Sequence, residues 1–135
     1  MILFPNADIT IYNRYYDKTL EMDCYKRTVI KGVDWQEKQE GSMQDKGLVI
    51  DSSIKIFIDK LNTYTSPKTF RKLEASQREK YFTLDIGDFI VKGDIDFEIT
   101  GRKPFTIKKL EESFDDVTII LAVSKFSDYF EMGCK

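Results

Sequence analysis

Apolar and polar residues alternate over several short stretches of the chain. In residues 8–16 (DITIYNRYY), Ile9 and Ile11 fall on one side and Thr10 and Tyr12 on the other, which predicts a half-buried strand. Residues 25–35 (YKRTVIKGVDW) are rich in β-branched side chains and predict a second extended segment, with Gly32 marking a bulge or a bend. Residues 48–59 (LVIDSSIKIFID) place Ile54, Ile56 and Ile58 on one face. Further on, Ile95, Phe97 and Ile99 alternate with Asp94, Asp96, Glu98 and Thr100, so one face is apolar and the other rich in carboxylates. This strand follows another across a Gly-Asp turn at Gly93, and a second such turn stands in front at Gly87. Residues 117–123 (VTIILAV) are apolar on both faces apart from Thr118, which predicts the most buried strand. Residues 129–132 give a last short strand.

Helical signals are few. Ser66-Pro67 reads as an N-cap followed by proline at the first helical position, with Phe70 and Leu73 pointing inward. Ser76 and Glu79 have the spacing of a capping box for one further turn. Residues 106–113 (TIKKLEES) predict a short helix, with Ile107 and Leu110 at i and i+3. Residues 36–46 (QEKQEGSMQDK) fit no buried element, since Met43 is their single large apolar residue. They predict a projecting loop, in which Gln36, Glu37, Gln39, Gly41, Met43, Gln44 and Lys46 are the candidate partner contacts. Together these elements predict a single, mainly β domain over residues 1–135. It is a small antiparallel β-barrel or sandwich with two or three short helices and a long projecting loop.

Composition narrows the chemistry. Hydrophobic residues make up 41% of the 135, enough for a core, and no run approaches the roughly 18 apolar residues of a membrane span. The start (MILFP) lacks a basic region and a secretory apolar stretch, which predicts a protein made and kept in a cytoplasm. Histidine is absent, so Ser-His-Asp and Cys-His catalysis and His-containing zinc sites are excluded. Two cysteines, Cys24 and Cys134, read as free thiols in a reducing compartment. A net charge of −2 argues against a nucleic-acid binder held by phosphate contacts.

Two constellations invite chemistry. Asp85, Asp88, Asp94, Asp96 and Glu98 could suggest a metal site or a carboxylate hydrolase. Alternation of the last three with apolar partners instead marks a solvated strand face. The second constellation is Tyr12, Tyr15, Tyr16 and Tyr25 with Arg14, Lys26 and Arg27. An OB-like module binding single-stranded nucleic acid or a peptide would use such a surface, although Asp17, Glu21 and Asp23 dilute its charge. Trp35 reads as a core-edge anchor. The residues therefore predict no enzyme and no cofactor.

Three segments carry a resemblance: FPNADITIYNRYYD with YKRTVIKGVDW, then YFTLDIGDFIVKGDIDFEIT, then KLEESFDDVTIILAVS with the terminal YFEMGCK. Together they resemble an uncharacterised family of small proteins from the structural modules of tailed bacteriophages and prophages of Gram-positive bacteria. Where that family carries a tryptophan-glutamate step near its end, this chain has Phe130-Glu131. The resemblance implies a head–tail connection protein of the head-closure or stopper kind, or a minor capsid component. It also implies portal, adaptor or tail proteins as partners, and a ring of copies in the assembled particle from a free protein that can be monomeric. The protein would then be a virion component assembled in the bacterial cytoplasm, with no specific nucleic-acid binding and no membrane contact. The projecting loop would be its contact element.

Overall fold

The computed structural model describes residues 5–44, 47–100, 102–103 and 105–135, with the backbone alone for 38–44 and 47–52. It is mainly β, with six strands closed into a barrel in the order β1-β2-β3-β6-β5-β4. These are β1 (Ala7–Asp17), β2 (Met22–Gln44), β3 (Gly47–Asp59), β4 (Phe89–Lys92), β5 (Val117–Lys125) and β6 (Tyr129–Cys134). Every neighbouring pair is antiparallel. Two three-stranded meanders thus meet along β1/β4 and β3/β6. Closure gives every strand a neighbour on each side over part of its length.

The predicted bulge is present. Between Ala7↔Val33 and Ile9↔Ile30, Asp8 alone faces two residues of β2, Lys31 and Gly32. Gly32 takes φ +75°, a region that side-chain-bearing residues rarely enter, and its N–H donates to Asp8 Oδ1 at 3.0 Å. At this kink β2 leaves β1 and continues along β3.

The barrel interior is filled by Ile9, Ile11, Ile30, Val33, Trp35, Ile56, Ile58, Ile90, Ile120, Phe130 and Met132. Trp35 belongs to this core, as expected. The β3–β4 connection adds Phe82 and Leu84 to the same cluster, and it carries two short helices, α1 (Pro67–Lys72) and α2 (Ala75–Arg78). Ser66 caps α1 with Pro67 at its start, and Phe70 is buried as predicted. The second cap differs from the expected capping box. Glu74, not Ser76, precedes α2 and makes no side-chain cap bond, so Ser76 lies inside the turn.

A second cluster lies outside the barrel: Tyr12, Val91, Ile99 and Leu110, flanked by Ile95, Phe97, Ile107 and Phe114. It is covered by residues 93–100 and by α3 (Ile107–Ser113), which Thr106 caps. Here the expected strand is absent. Residues 94–100 keep their alternation of buried or half-buried apolar and exposed polar side chains but join no sheet. Side chains hold this segment in place of a ladder. Thr10 Oγ1 donates to Gly93 O at 2.7 Å and accepts from Ile95 N at 3.1 Å. Tyr12 Oη donates to Phe97 O at 2.6 Å, and Arg27 Nη1 donates to Ile95 O at 2.9 Å.

The expectation for β5 also needs correction. Its inward residues Thr118 and Ile120 are buried, but Ile119 is 38% and Leu121 54% exposed. A register shift between Ile120 and Ala122 adds Leu121 as an extra residue, so Leu121 and Ala122 both stay in solvent. The most buried strand is β1, where residues 9–13 are buried on both faces.

Candidate assembly site

The predicted projecting loop is a strand. Gln36, Glu37, Gln39, Gly41, Met43 and Gln44 all lie on β2, and Lys46 lies outside the described residues. The physical reason is cross-strand pairing. From Asp34↔Phe57 to Gln44↔Gly47 the polar run is zipped to β3, and the ladder supplies the backbone partners that its side chains do not advertise. β6 accompanies β3 only as far as Ile54↔Cys134, and β1 accompanies β2 only as far as Val33. Beyond these points, residues 38–44 and 47–53 form a two-stranded arm with no third strand among the described residues. At its base, Gln36 and Glu37 are exposed. Trp35 Nε1 donates to Glu37 Oε1 at 3.0 Å, and Gln36 Nε2 donates to Asp34 Oδ2 at 3.0 Å. Asn6 grips the first free stretch of edge, accepting from Trp35 N at 2.8 Å and donating to Trp35 O at 3.0 Å.

Of the five carboxylates singled out from the sequence, Asp94, Asp96 and Glu98 are exposed, and Glu98 pairs with Arg27 at 2.9 Å. Asp85 pairs with Arg71. Asp88 differs from the others. It is 4% exposed and accepts from Asn13 Nδ2 at 2.9 Å and from Arg14 N at 3.2 Å. Burial pushes its pKa up to about 6, against the lowering effect of those two bonds. Asn13, wholly buried, also donates to Thr83 O at 2.7 Å and accepts from Thr83 N at 3.1 Å. This polar knot ties β1 to the β3–β4 connection and to the 85–88 turn. Among the described residues, no group of three or more Cys, Asp or Glu is placed to hold a metal ion.

The tyrosine row is mostly packed. Tyr12 is fully buried, Tyr15 lies under the Arg78 guanidinium at 4.0 Å and edge-on to Phe70, and Tyr25 tilts against Phe89. Tyr16, at 58%, is the exposed ring of the four. Cys24 and Cys134 are free thiols, and burial pushes Cys134 up to about 11. No described helix is long and apolar enough to cross a membrane.

Sequence reasoning missed the Asn13–Thr83–Asp88 knot. Its one local signal is an asparagine following the alternating stretch of a strand, and its partners stand 70 and 75 residues away. It also missed the charge order around α3. Arg102, Lys103, Lys108 and Lys109 precede Glu111, Glu112, Asp115 and Asp116, and all eight are exposed. A groove of about 210 Å³ lies at the acidic end, lined by Phe89, Phe114, Val117 and Ile119 and edged by Glu111, Asp115 and Lys135.

These features define a small closed β-barrel whose outward devices are an unaccompanied arm, an open apolar strand face and a charge-ordered helix. The chain belongs to a family of unknown function (DUF6751), which it matches over residues 4–133. No curated protein and no solved structure matches it.

Proposed function

We propose that this protein is a structural assembly component of a tailed bacteriophage or prophage, acting at the head–tail connection or as a minor capsid protein. The observation that carries the reading is the arm. A two-stranded hairpin is marginally stable by itself in water and gains from a third strand or a packed face. Along residues 38–44 and 47–53 each strand leaves one row of backbone N–H and C=O groups without a strand partner among the described residues. A second stretch of this kind, residues 13–17 paired with 22–26, is shorter, and Asp88 Oδ1 accepts from Arg14 N there. Such an edge recruits a neighbouring chain by strand addition. The resemblance of the sequence to phage structural-module proteins, with their small barrels and projecting contact elements, supplies the biological setting. In that setting portal, adaptor or tail proteins are the partners and copies of the chain sit side by side in a ring.

The test is co-sedimentation of the full chain with the portal ring encoded beside it. A variant in which an Asn-Gly turn joins Glu37 directly to Ile54 removes the arm while keeping a two-residue hairpin between paired positions. Binding by the full chain and its loss in a folded armless variant support the proposal. Equal binding by both, or a gene set among metabolic genes with no portal or capsid gene nearby, sinks it.

A further inference from the structure

α3 is charged against its own dipole. Anions stabilise a helix N-terminus and cations a C-terminus. Here the first turn holds Lys108 and Lys109 and no acid, and the last turn holds Glu111 and Glu112 and no base. Flanking residues extend the same order, with Arg102 and Lys103 before the helix and Asp115 and Asp116 after it. None of the eight has an ion-pair partner among the described residues. The i,i+3 and i,i+4 spacings of Lys108 and Lys109 with Glu111 and Glu112 support the helix, but in the weaker order, lysine before glutamate, so local stability favours the reverse arrangement. Such inconsistencies between levels concentrate where a chain meets something else.

The pattern is complementary to itself. Two copies of α3 laid side by side in opposite directions bring each basic half against the other's acidic half, and a parallel pair would set like against like. Apolar surface follows the same logic. Phe105, 45% exposed, stands at the basic end, and the groove floored by Phe89, Phe114, Val117 and Ile119 opens at the acidic end. In such an antiparallel pair each Phe105 would lie at the end where the other copy's groove opens. We propose that a second copy of this chain docks on α3 in this antiparallel fashion, forming a two-fold dimer. The contact uses residues separate from the arm, so it stands or falls independently of the function proposed above.

Sedimentation of the full chain tests this through a charge swap. In about 0.01 M salt, where the Debye length is about 30 Å, the protein is expected to dimerise; in about 1 M salt, at about 3 Å, it is expected to dissociate. Lys108→Glu/Lys109→Glu and Glu111→Lys/Glu112→Lys each set like charges face to face and are expected to weaken dimerisation at least a hundredfold. Both changes follow the helix dipole and lie on exposed positions, so the circular dichroism spectrum should be unchanged. Mixing the two variants restores opposite charges at every facing position and should restore a dimer, now a mixed one. Phe105→Ser should weaken the wild-type dimer without altering its salt dependence. The proposal is overturned by a wild-type chain that stays monomeric in low salt up to about 1 mM. Association that strengthens with salt, reversals that dimerise like the wild type, or a mixture that remains monomeric would each overturn it as well.

Discussion

β1 and β5 lie on either side of β4, yet their outer faces have opposite fates. The outer face of β1 carries Thr10 and Tyr12, polar side chains, and both are fully buried. The outer face of β5 carries Ile119 and Leu121, and both remain in solvent. Cover makes the difference, not composition. Residues 93–100 and α3 cross β1 and β4 and reach only the first residue of β5, Val117. The polar atoms on β1 then become the fastening: the Thr10 and Tyr12 hydroxyls hold the backbone of the covering segment at Gly93, Ile95 and Phe97. An apolar face would have offered that segment no hydrogen-bond partner for its unpaired amides and carbonyls.

Two leucines give the sharpest way to break this comparison. Leu110 on α3 is fully buried beneath the cover, and Leu121 on β5 is 54% exposed. Leu110→Ala leaves a cavity in a small satellite cluster and should cost about 2–5 kcal/mol in urea unfolding. Leu121→Ala should stay within about 0.5 kcal/mol of wild type. Equal losses at the two sites would mean that the cover does not discriminate between these faces.

The knot beneath β1 should give the next largest effect. Both carboxylate oxygens of Asp88 accept hydrogen bonds, so Asp88→Asn turns an amide N–H₂ toward a donor. A loss of about 1–3 kcal/mol at neutral pH follows. The pH dependence has a defined sign. The pKa of Asp88 is about 6 in the fold against an ordinary 3.8, so between these values the native state holds a proton that the unfolded chain has released. Its contribution to stability therefore grows as pH falls from about 6 towards 4, at up to about 1.4 kcal/mol per unit. The gap between wild type and Asp88→Asn, read from urea midpoints at several pH values, should widen on acidification. A gap that narrows over this range would refute the buried, proton-holding Asp88.

Much of the barrel is legible in the alternation of Ile9/Ile11 and Ile54/Ile56/Ile58, because a strand with one face in a core must repeat with period two. Gly32 announces its bulge for an equally local reason, its positive φ. The failures share a different cause. Residues 94–100 alternate like a strand, but whether a ladder forms depends on a neighbour, and here side chains of Thr10, Tyr12 and Arg27 take the neighbour's place. Gln36 to Gln44 look like a loop because their polarity is visible and their pairing with β3 is not. On β5, apolarity on both faces suggests burial, and nothing local records that the cover ends at α3 or that Leu121 is an extra residue. The candidate contact element is thus a paired strand where its polarity suggested a loop.

A smaller effect isolates the fastening itself. Tyr12→Phe keeps the buried ring and removes the hydroxyl that donates to Phe97 O. Burial holds the phenol well above its ordinary pKa, so the group is a neutral donor across the usable pH range. The expected loss is about 0.5–1.5 kcal/mol, unless the carbonyl finds water. Amide exchange separates the cover from the barrel. Protection should fall at Ile95 and within α3, while β3 and β6 keep theirs. A uniform fall would show that cover and barrel open as one unit.

The smallest expected effect concerns the outer side of that cover. α1 ends in Arg71 and Lys72, as its dipole prefers, and α3 is charged in the opposite order. In dilute protein at low salt, the full reversal Lys108→Glu/Lys109→Glu/Glu111→Lys/Glu112→Lys keeps the i,i+4 pairs, now in their better order, and should raise monomer stability by about 0.3–1 kcal/mol, visible as a higher melting temperature. Charge reversal at α1, which has no acid in its first turn, has no reversed order to correct at its C-terminal end; Arg71→Glu/Lys72→Glu should lower stability, partly by breaking the Arg71–Asp85 pair. If the α3 reversal also destabilised the monomer, its native charges would be supporting the fold, and the exposed charge order would need no partner to explain it. A stabilised monomer instead means that α3 keeps an ordering unfavourable to its own helix, on the exposed side of the segment that covers β1 and β4.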